Sequence, residues 1–203
     1  MVDRRKPSQG RSKAKVEGII EAAKRLIGEH GNDAVSMREI AACAGVAPSS
    51  IYQYFPDKNA ILECIMQGYF DRIHGIMVER TDSVTSLLQL TDALGDGING
   101  FYRLFKTEPT LATIWAGVQA NTVLREMDEQ DSIRNAKYLT RALVQLEPQV
   151  DEDKAFTAFV LLMNMAGLAV RMALAKNEQE GEALVEELKL IIGMRINLLV
   201  STS

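Results

Sequence analysis

The sequence has few of the residues that build cross-linked or metal-bound folds. Its 203 residues include only two cysteines, two histidines and five prolines. Cys43 and Cys64 lie in helical patterns without CxxC spacing, so neither a disulfide framework nor a zinc site is predicted. The N-terminus is charged but lacks the apolar segment of a signal peptide. We therefore expect a protein of the reducing cytoplasm that carries no cofactor.

Motifs of known enzyme classes are also absent. The sequence contains no nucleophile elbow, no HExxH motif and no phosphate-binding glycine loop. His30 lies at a predicted helix end and His74 in a linker-like helix, so neither suggests a general base. Asp128, Glu129 and Asp131 form an acidic cluster, which we interpret as a solvated helix face or turn rather than a metal site. Catalysis is not expected.

No apolar run is long enough to span a membrane without interruption. Residues 155–175 are strongly apolar but contain Asn164 and Arg171. Their uninterrupted apolar stretches fall short of the ~20 residues that a membrane span requires. No segment alternates polar and apolar residues with period two, which would indicate a strand. The sequence therefore predicts an all-α protein, soluble, with residues 155–175 as a buried helix.

The charge is distributed unevenly along the chain. The whole sequence carries a net charge of −4, whereas residues 1–25 hold eight basic and three acidic side chains. A basic end on an acidic body suits a protein that touches a polyanion at one end. A solvated basic tail would have the same composition, so this feature decides nothing by itself.

Helix signals follow one another from Val16 onward. Residues 1–14 lack an apolar period and are predicted to be a flexible basic arm. The first helix, from Val16, should end at Gly31. Ser36 and Glu39 form a capping box that opens a second helix.

The next signals predict a short third helix of about eight residues. Gly45 provides a turn, and Pro48 suits a first helical position, since it has no N–H to lose. Ile51 and Phe55 are one turn apart and should face the core, and Asp57 should cap a fourth helix. Five further helices are predicted near residues 83–106, 108–118, 122–146, 152–176 and 181–200.

These elements form a tri-helical helix-turn-helix. The outward face of the third helix carries hydroxyls and an amide without carboxylates, so it suits entry into a DNA major groove. The segment from Ile19 to Ile65 resembles the DNA-binding domain of the TetR family of bacterial regulators. The resemblance rests on the Ala22-Ala23-Lys24-Arg25-Leu26-Ile27 run, Gly31, Ser36-Met37-Arg38-Glu39-Ile40-Ala41, Gly45-Val46 and Ile51-Tyr52-x-Tyr54-Phe55-x-x-Lys58.

The resemblance assigns roles to individual positions. Tyr52, Tyr54 and Lys58 match the family's phosphate contacts, and Ser49, Ser50 and Gln53 lie where bases are read. Ser36 and Arg38 lie near a helix start where phosphate is within reach. Two positions depart from the family, since Ala47 replaces a capping Ser or Thr and Tyr54 replaces a common His. Structural alternatives stay open: Tyr52 packing on the first helix, and Lys58 simply solvated.

The rest of the chain is expected to bind a ligand and a second subunit. The resemblance implies a domain 15–60 that binds DNA and a domain 61–203 that forms a ligand chamber, with about nine helices in all. It also implies a homodimer through the last two helices, a palindromic operator, and a repressor released by a small, mostly hydrophobic molecule. Candidate ligand contacts are Phe101, Tyr102, Phe105, Trp115, Gln119, Met163 and Asn164.

Several alternatives remain at this point. Asn164 is a lone amide in an apolar helix and must find a partner, which is a ligand, a backbone group or its mate across the dimer. Activation instead of repression depends on operator position, which no protein sequence records. A helical adaptor that sequesters a ligand or binds a protein, without a specific operator, is the rival function.

Overall fold

The computed structural model describes the backbone of residues 6–201 and the side chains of residues 12–108, 110–118 and 120–201. The described residues form nine α-helices and one 3₁₀ helix, with no strand among them, so the all-α prediction is confirmed. The helices are α1 (Lys6–His30), α2 (Met37–Cys43), α3 (Pro48–Ile51), α4 (Lys58–Thr81), α5 (Leu87–Thr107), α6 (Pro109–Gly117), the 3₁₀ helix (Val118–Ala120), α7 (Thr122–Leu146), α8 (Glu152–Leu174) and α9 (Glu178–Ser201).

Two elements differ from the prediction. α1 begins at Lys6, so residues 6–14 of the predicted flexible arm are helical, and residues 1–5 lie outside the described part. The segment lacks an apolar stripe, but Lys, Arg, Ala and Gln are good helix formers. Pro7 in the first turn costs nothing there, because that N–H would have no helical partner. α3 is only four residues long, since the chain turns through residues 52–54 before Pro56.

The chain divides into two compact units. The first comprises the residues up to Tyr69 together with Pro109–Leu124, and the second comprises Phe70–Glu108 and the residues from Arg125 onward. The division falls inside α4, nine residues beyond the predicted domain boundary at residues 60/61. The first unit therefore includes α6 and the 3₁₀ helix as well as the predicted DNA-binding segment.

A close contact between α1 and α6 organises the first unit. The Thr110 hydroxyl donates a 2.7 Å hydrogen bond to the carbonyl of Lys24. A Cβ atom on Gly28 would lie 2.9 Å from the Thr110 hydroxyl oxygen, so a glycine allows the two helices to approach. Ile19, Ala23 and Ile27 on α1 are fully buried and form the core behind this contact.

The second unit is built around a hairpin of α8 and α9. Asn177 caps α9 by accepting a 3.0 Å hydrogen bond from the amide of Glu180. The two helices bury one face each, and α5 packs against both. The buried side of the hairpin comprises Ala155, Ala158, Phe159, Leu162, Ala166, Val170, Ala173, Gly181, Val185, Leu188, Ile192, Ile196 and Leu199.

The opposite faces of α8 and α9 are apolar and exposed. Among the described helices, only α8 is long and apolar enough to cross a membrane by these two criteria. In the single chain α8 buries only one of its two apolar sides, because Leu161 and Leu168 are 60% and 52% exposed. The exposed side chains recur at helical spacing on both helices, at Leu161, Leu168 and Met172 on α8 and at Leu190, Met194 and Leu198 on α9. We refer to these six residues as the apolar face.

Candidate nucleic-acid interface

The start of α2 is fixed by the predicted capping box. The Ser36 hydroxyl oxygen accepts a 3.3 Å hydrogen bond from the Glu39 amide, and the Glu39 carboxylate accepts one of 2.8 Å from the Ser36 amide. The Ser36 hydroxyl also donates to that carboxylate at 2.6 Å. These hydrogen bonds hold the pKa of Glu39 below its ordinary value. Ser36 therefore acts as a helix cap whose hydroxyl proton is already donated.

Glycines make the two turns that flank α2. Gly31 and Gly45 have φ angles of +81° and +67°, a region that L side chains rarely adopt. The amide of Val46 donates a 3.0 Å hydrogen bond to the carbonyl of Ala41, which closes the turn between α2 and α3. Both turns were predicted from the glycine positions.

Two buried side chains set the orientation of α3. Ile51 is fully buried and Phe55 is 4% exposed, as their one-turn spacing predicted. Pro48 is the first helical residue, and Ala47 before it provides no side-chain cap. Because Ile51 and Phe55 point inward, Ser49 and Gln53 are exposed on the outside.

The exposed side of α3 offers donors and acceptors without negative charge. No acidic residue occurs between Ala44 and Pro56. Tyr52 is 57% exposed, which argues against its packing on α1, whereas Tyr54 and Ser50 are half-buried. Within the described part of the chain, the side chains of Ser49, Ser50, Tyr52, Gln53 and Tyr54 have no hydrogen-bond partner. They remain available for bases and phosphates.

Lys58 is not simply solvated. Its ammonium donates hydrogen bonds to the carbonyls of Asn32, at 2.7 Å, and Val35, at 3.0 Å. The side chain is half-buried and ties the start of α4 to the loop between α1 and α2. An ammonium has three donors, so one remains for another acceptor. The sequence reasoning missed this structural role because the two carbonyls are more than twenty residues away.

Arg38 is the exposed cation nearest to the cap of α2. Its guanidinium forms neither an ion pair nor a hydrogen bond with a described residue. The guanidinium of Arg25 on α1, in contrast, donates a 2.6 Å hydrogen bond to the Cys43 sulfur. That hydrogen bond raises the pKa of Arg25. Arg38 is therefore the freer of the two for phosphate contact.

Comparison with known proteins assigns this helix-turn-helix to a protein family. The profile described as "Bacterial regulatory proteins, tetR family" matches residues 19–65, the segment on which the resemblance rested. The profile described as "Tetracyclin repressor-like, C-terminal domain" matches residues 88–195, more than half of the chain. The protein belongs to the TetR family.

A curated protein described as an HTH-type transcriptional regulator is similar to part of this sequence. The transcriptional regulator BetI of Rhizobium meliloti (strain 1021) is 27% identical over 109 residues, which are 54% of this chain and 52% of BetI. The chain thus spans about half the length of the curated relative it matches.

Solved TetR-family structures share the fold over nearly the whole chain. A regulator from Syntrophomonas wolfei superposes with a TM-score of 0.73 at 15% identity, covering 91% of this chain and 96% of its own. RolR in complex with resorcinol superposes with a TM-score of 0.64 at 15% identity, covering 97% of each chain. At this identity the likeness concerns the fold alone.

The predicted ligand contacts of this TetR-family protein fall in different units. Trp115, 5% exposed, belongs to the first unit, as does Gln119, whose side chain lies outside the described ones. The other five belong to the second unit. There the Phe101 and Phe105 rings pack edge to face at 5.0 Å between centroids, Tyr102 is buried and Met163 is half-buried.

Asn164 lies outside the core of the second unit. Its side chain is exposed, and its amide nitrogen donates a 2.9 Å hydrogen bond to the carbonyl of Val160 one turn earlier. It lies on α8 three residues after Leu161 and four before Leu168, within the apolar face. The sequence left three partners open for Asn164: a ligand, a backbone group or its mate in a dimer. In the single chain, a backbone carbonyl accepts the hydrogen bond from its amide nitrogen.

The interpretation of the acidic cluster as a solvated face is wrong for two of its members. The Asp131 side chain is only 11% exposed, and it accepts hydrogen bonds from Arg134 at 2.7 Å and from Asn135 at 2.8 Å. Burial nevertheless raises the pKa of Asp131. Glu129 is exposed. No group of three or more potential metal ligands occurs among the described residues.

Asp128 is the most perturbed carboxyl of this cluster. Burial raises its pKa to about 6 from an ordinary value of 3.8, against the opposing effect of Arg171. The ionised form is therefore disfavoured in the folded protein. Since the folded state holds this proton more tightly than the unfolded state, the contribution of Asp128 makes the protein less stable as pH rises from about 4 to about 6.

Replacing Asp128 by Asn should therefore stabilise the protein at neutral pH. We expect the free energy of unfolding at pH 7 to increase by about 1–2 kcal/mol, a value reduced for the partial exposure of the side chain, with no gain at pH 4. Urea unfolding at both pH values measures the effect. Glu129→Gln is the matched control, because it removes an exposed charge from the adjacent position. An unchanged or lower stability of Asp128→Asn at pH 7 would contradict the assignment.

Proposed function

We propose that this TetR-family protein is a cytoplasmic repressor that binds a palindromic operator as a homodimer and is released by a small, mostly hydrophobic effector. The observation that carries the proposal is the outer side of α3. Together with the turn through residues 52–54, it presents exposed hydroxyl and amide groups, carries no carboxylate, and is held in place from behind by Ile51 and Phe55. Such a surface suits the major groove.

The residues around α3 divide into two groups by exposure and chemistry. Ser49, Ser50 and Gln53 would read base edges, and the amide of Gln53 matches the N6 and N7 groups of adenine. Tyr52, Tyr54 and Arg38 would contact phosphates and position the helix. Ala47 and Ser36 lie beside these contacts, at the starts of α3 and α2.

Lys58 would combine a structural role with a phosphate contact. Two of its three N–H donors are engaged by backbone carbonyls. The third donor would bind one phosphate, so the ammonium would anchor the loop and the DNA together. Removing Lys58 would therefore disturb the domain as well as the contact, which makes it a poor probe of DNA binding alone.

The homodimer would form through the apolar face of α8 and α9. A contiguous set of exposed Leu and Met side chains at helical spacing marks a surface that another apolar surface covers. Two copies of this face, related by a two-fold axis, would form a four-helix arrangement. Asn164 lies within it, and its carbonyl oxygen would meet a donor of the second subunit. The two-fold would also provide two α3 helices for a palindromic site.

The effector would bind in the second unit beside its aromatic side chains. Phe101, Tyr102, Phe105 and Met163 supply apolar surface there. RolR, which shares this fold, was crystallised with resorcinol. We propose a ligand of the same general kind, small and mostly apolar. Trp115 and Gln119, which belong to the first unit, stay predictions from the sequence.

Sequence selection from random DNA, with and without a library of apolar molecules, tests this proposal. We expect a palindromic site to be enriched, and an apolar compound to lower its binding. In the selected site, Gln53→Ala should change the preferred base at one position. Arg38→Ala should instead lower the affinity for all DNA sequences alike, and reduce the salt dependence of that affinity by about one phosphate contact.

Arg103→Ala is the matched control, because Arg103 is an exposed arginine of the second unit. Its binding should equal that of the wild type. If no selected DNA binds better than random duplex at physiological salt, the protein is not an operator-binding regulator, and an adaptor function gains support. If Gln53→Ala and Arg38→Ala relax the sequence specificity to the same degree, the division into base-reading and phosphate-contacting residues is contradicted.

A further inference from the structure

A basic groove in the second unit has no role in the proposed function. It has a volume of about 460 Å³ and is lined by His74 on α4 and by Gln130, Ile133, Arg134, Lys137, Tyr138 and Arg141 on α7. None of the lining residues is acidic and three are permanently cationic, although acidic residues outnumber basic ones in the chain, 27 to 23. We refer to it as the α4–α7 groove.

Two of its cations are free to bind a ligand. Arg134 is engaged, since it donates hydrogen bonds to Asp71 at 2.9 Å, to Asp131 at 2.7 Å and to the carbonyl of Phe70 at 3.1 Å. Lys137 and Arg141, by contrast, form no ion pair with any residue that the structure describes. They are exposed and lie one helical turn apart, about 6 Å along α7.

A hydrogen-bonded chain fixes the imidazole of His74 at the wall of the groove. Asp131 accepts from the amide nitrogen of Asn135, so the Asn135 carbonyl oxygen faces His74 Nδ1 at 2.7 Å. A carbonyl oxygen only accepts, and His74 Nδ1 therefore carries a proton. Nε2 has no partner in the described part of the chain, so it is the nitrogen that a ligand can reach.

Tyr138 completes this wall. Its ring meets the His74 ring edge to face, with centroids 5.8 Å apart, and its hydroxyl lies 2.9 Å from the Thr81 hydroxyl. Ring and hydroxyl are thus held by α4, while Ile133 supplies an apolar patch on α7. The groove accordingly combines a fixed wall with two exposed cations that form no ion pair with a described residue.

We propose that the α4–α7 groove binds a small molecule bearing a phosphate group, through Lys137, Arg141 and His74 Nε2. Because Nδ1 carries the imidazole proton, Nε2 is an acceptor. A protonated phosphate can donate its P–OH to Nε2 while two other oxygens accept from Lys137 and Arg141, whereas a carboxylate has only two oxygens and no hydroxyl to donate. The groove is larger than a phosphate, so the remainder of the molecule packs on Ile133 and Tyr138. This site shares no residue with the proposed effector contacts, and its binding does not depend on operator binding.

The two histidines of the chain allow a direct test. The full-length protein, labelled with ¹³C at histidine Cε1, is titrated at constant pH and ionic strength with inorganic phosphate and with pyrophosphate in place of chloride. We expect a saturable shift of the His74 signal, whereas His30, an exposed residue of the first unit, shows none. The variant His30→Gln assigns the two signals.

Variants separate a built site from general attraction of anions. Lys137→Ala and Arg141→Ala should each weaken binding by about tenfold, since each removes a charge-assisted hydrogen bond. Lys176→Ala removes an exposed lysine outside the groove and should leave the affinity unchanged. Far-UV circular dichroism checks that each variant is folded. A His74 shift that fails to saturate with either anion, or equal affinity of the groove variants and the wild type, would overturn the proposal.

Discussion

We expect the Leu168→Glu variant to stay monomeric at concentrations where the proposed homodimer forms, and to lose operator binding together with the dimer. Leu168 is 52% exposed on α8, within the apolar face. In a two-fold interface the substitution occurs twice, so each subunit loses an apolar contact and gains a charge that must be desolvated. We expect the dimer dissociation constant to rise by more than about a hundredfold.

Sedimentation equilibrium measures the dissociation constant, and a gel shift on the selected palindrome measures the consequence for DNA. Leu88→Glu is the matched control, since Leu88 is even more exposed, at 72%, but lies on α5 outside the apolar face. It should leave both measurements unchanged. A dimeric Leu168→Glu protein, or equal effects of both substitutions, would show that the interface lies elsewhere.

Replacing Gly181 by alanine will destabilise the second unit strongly. A Cβ atom on this residue would lie 2.5 Å from the Tyr102 hydroxyl oxygen and 2.7 Å from the carbonyl oxygen of Ala173. The carbonyl belongs to the backbone of α8, so α9 must move away from α8. In addition, Lys106 on α5 forms a 2.7 Å ion pair with Glu178 at the start of α9, which restricts that movement.

We expect Gly181→Ala to lower the free energy of unfolding by about 2–3 kcal/mol, because overpacking exceeds the gain of about 1 kcal/mol in helix propensity. Urea unfolding of the full chain gives the value. Gly97→Ala on α5 is the control in the same unit, since a Cβ there meets nothing within 4 Å. It should be neutral or stabilising by up to about 1 kcal/mol. Equal stability of the two variants would contradict the close contact at Gly181.

Features encoded by neighbouring residues were predictable from the sequence. The capping box of Ser36 and Glu39, the turn at Gly45 and the inward direction of Ile51 and Phe55 each depend on fewer than six consecutive positions, and the structure confirms them. α3 was predicted too long, because helical spacing continues to Phe55 although the backbone leaves the helix after Ile51.

Features that depend on distant residues were not predictable in this way. The hydrogen bonds of Lys58 and the contact between Asn135 and His74 join parts of the chain that have no local relation. The burial of Asp131 depends in the same way on its neighbours in space, since a run of acidic residues reads as exposed in the sequence. The position of Asn164 on the apolar face likewise depends on which side of α8 the hairpin buries.

The brevity of α3 has a thermodynamic consequence for DNA recognition. A four-residue helix without a side-chain cap has too few hydrogen bonds to offset the free-energy cost of helix nucleation. Its order therefore comes from the buried side chains of Ile51 and Phe55 rather than from its own hydrogen bonds. We therefore expect α3 and the turn at Tyr52 and Gln53 to open locally in the free protein, and operator binding would suppress this opening. Part of the binding free energy is spent on this ordering, so the heat-capacity change should exceed that of rigid docking.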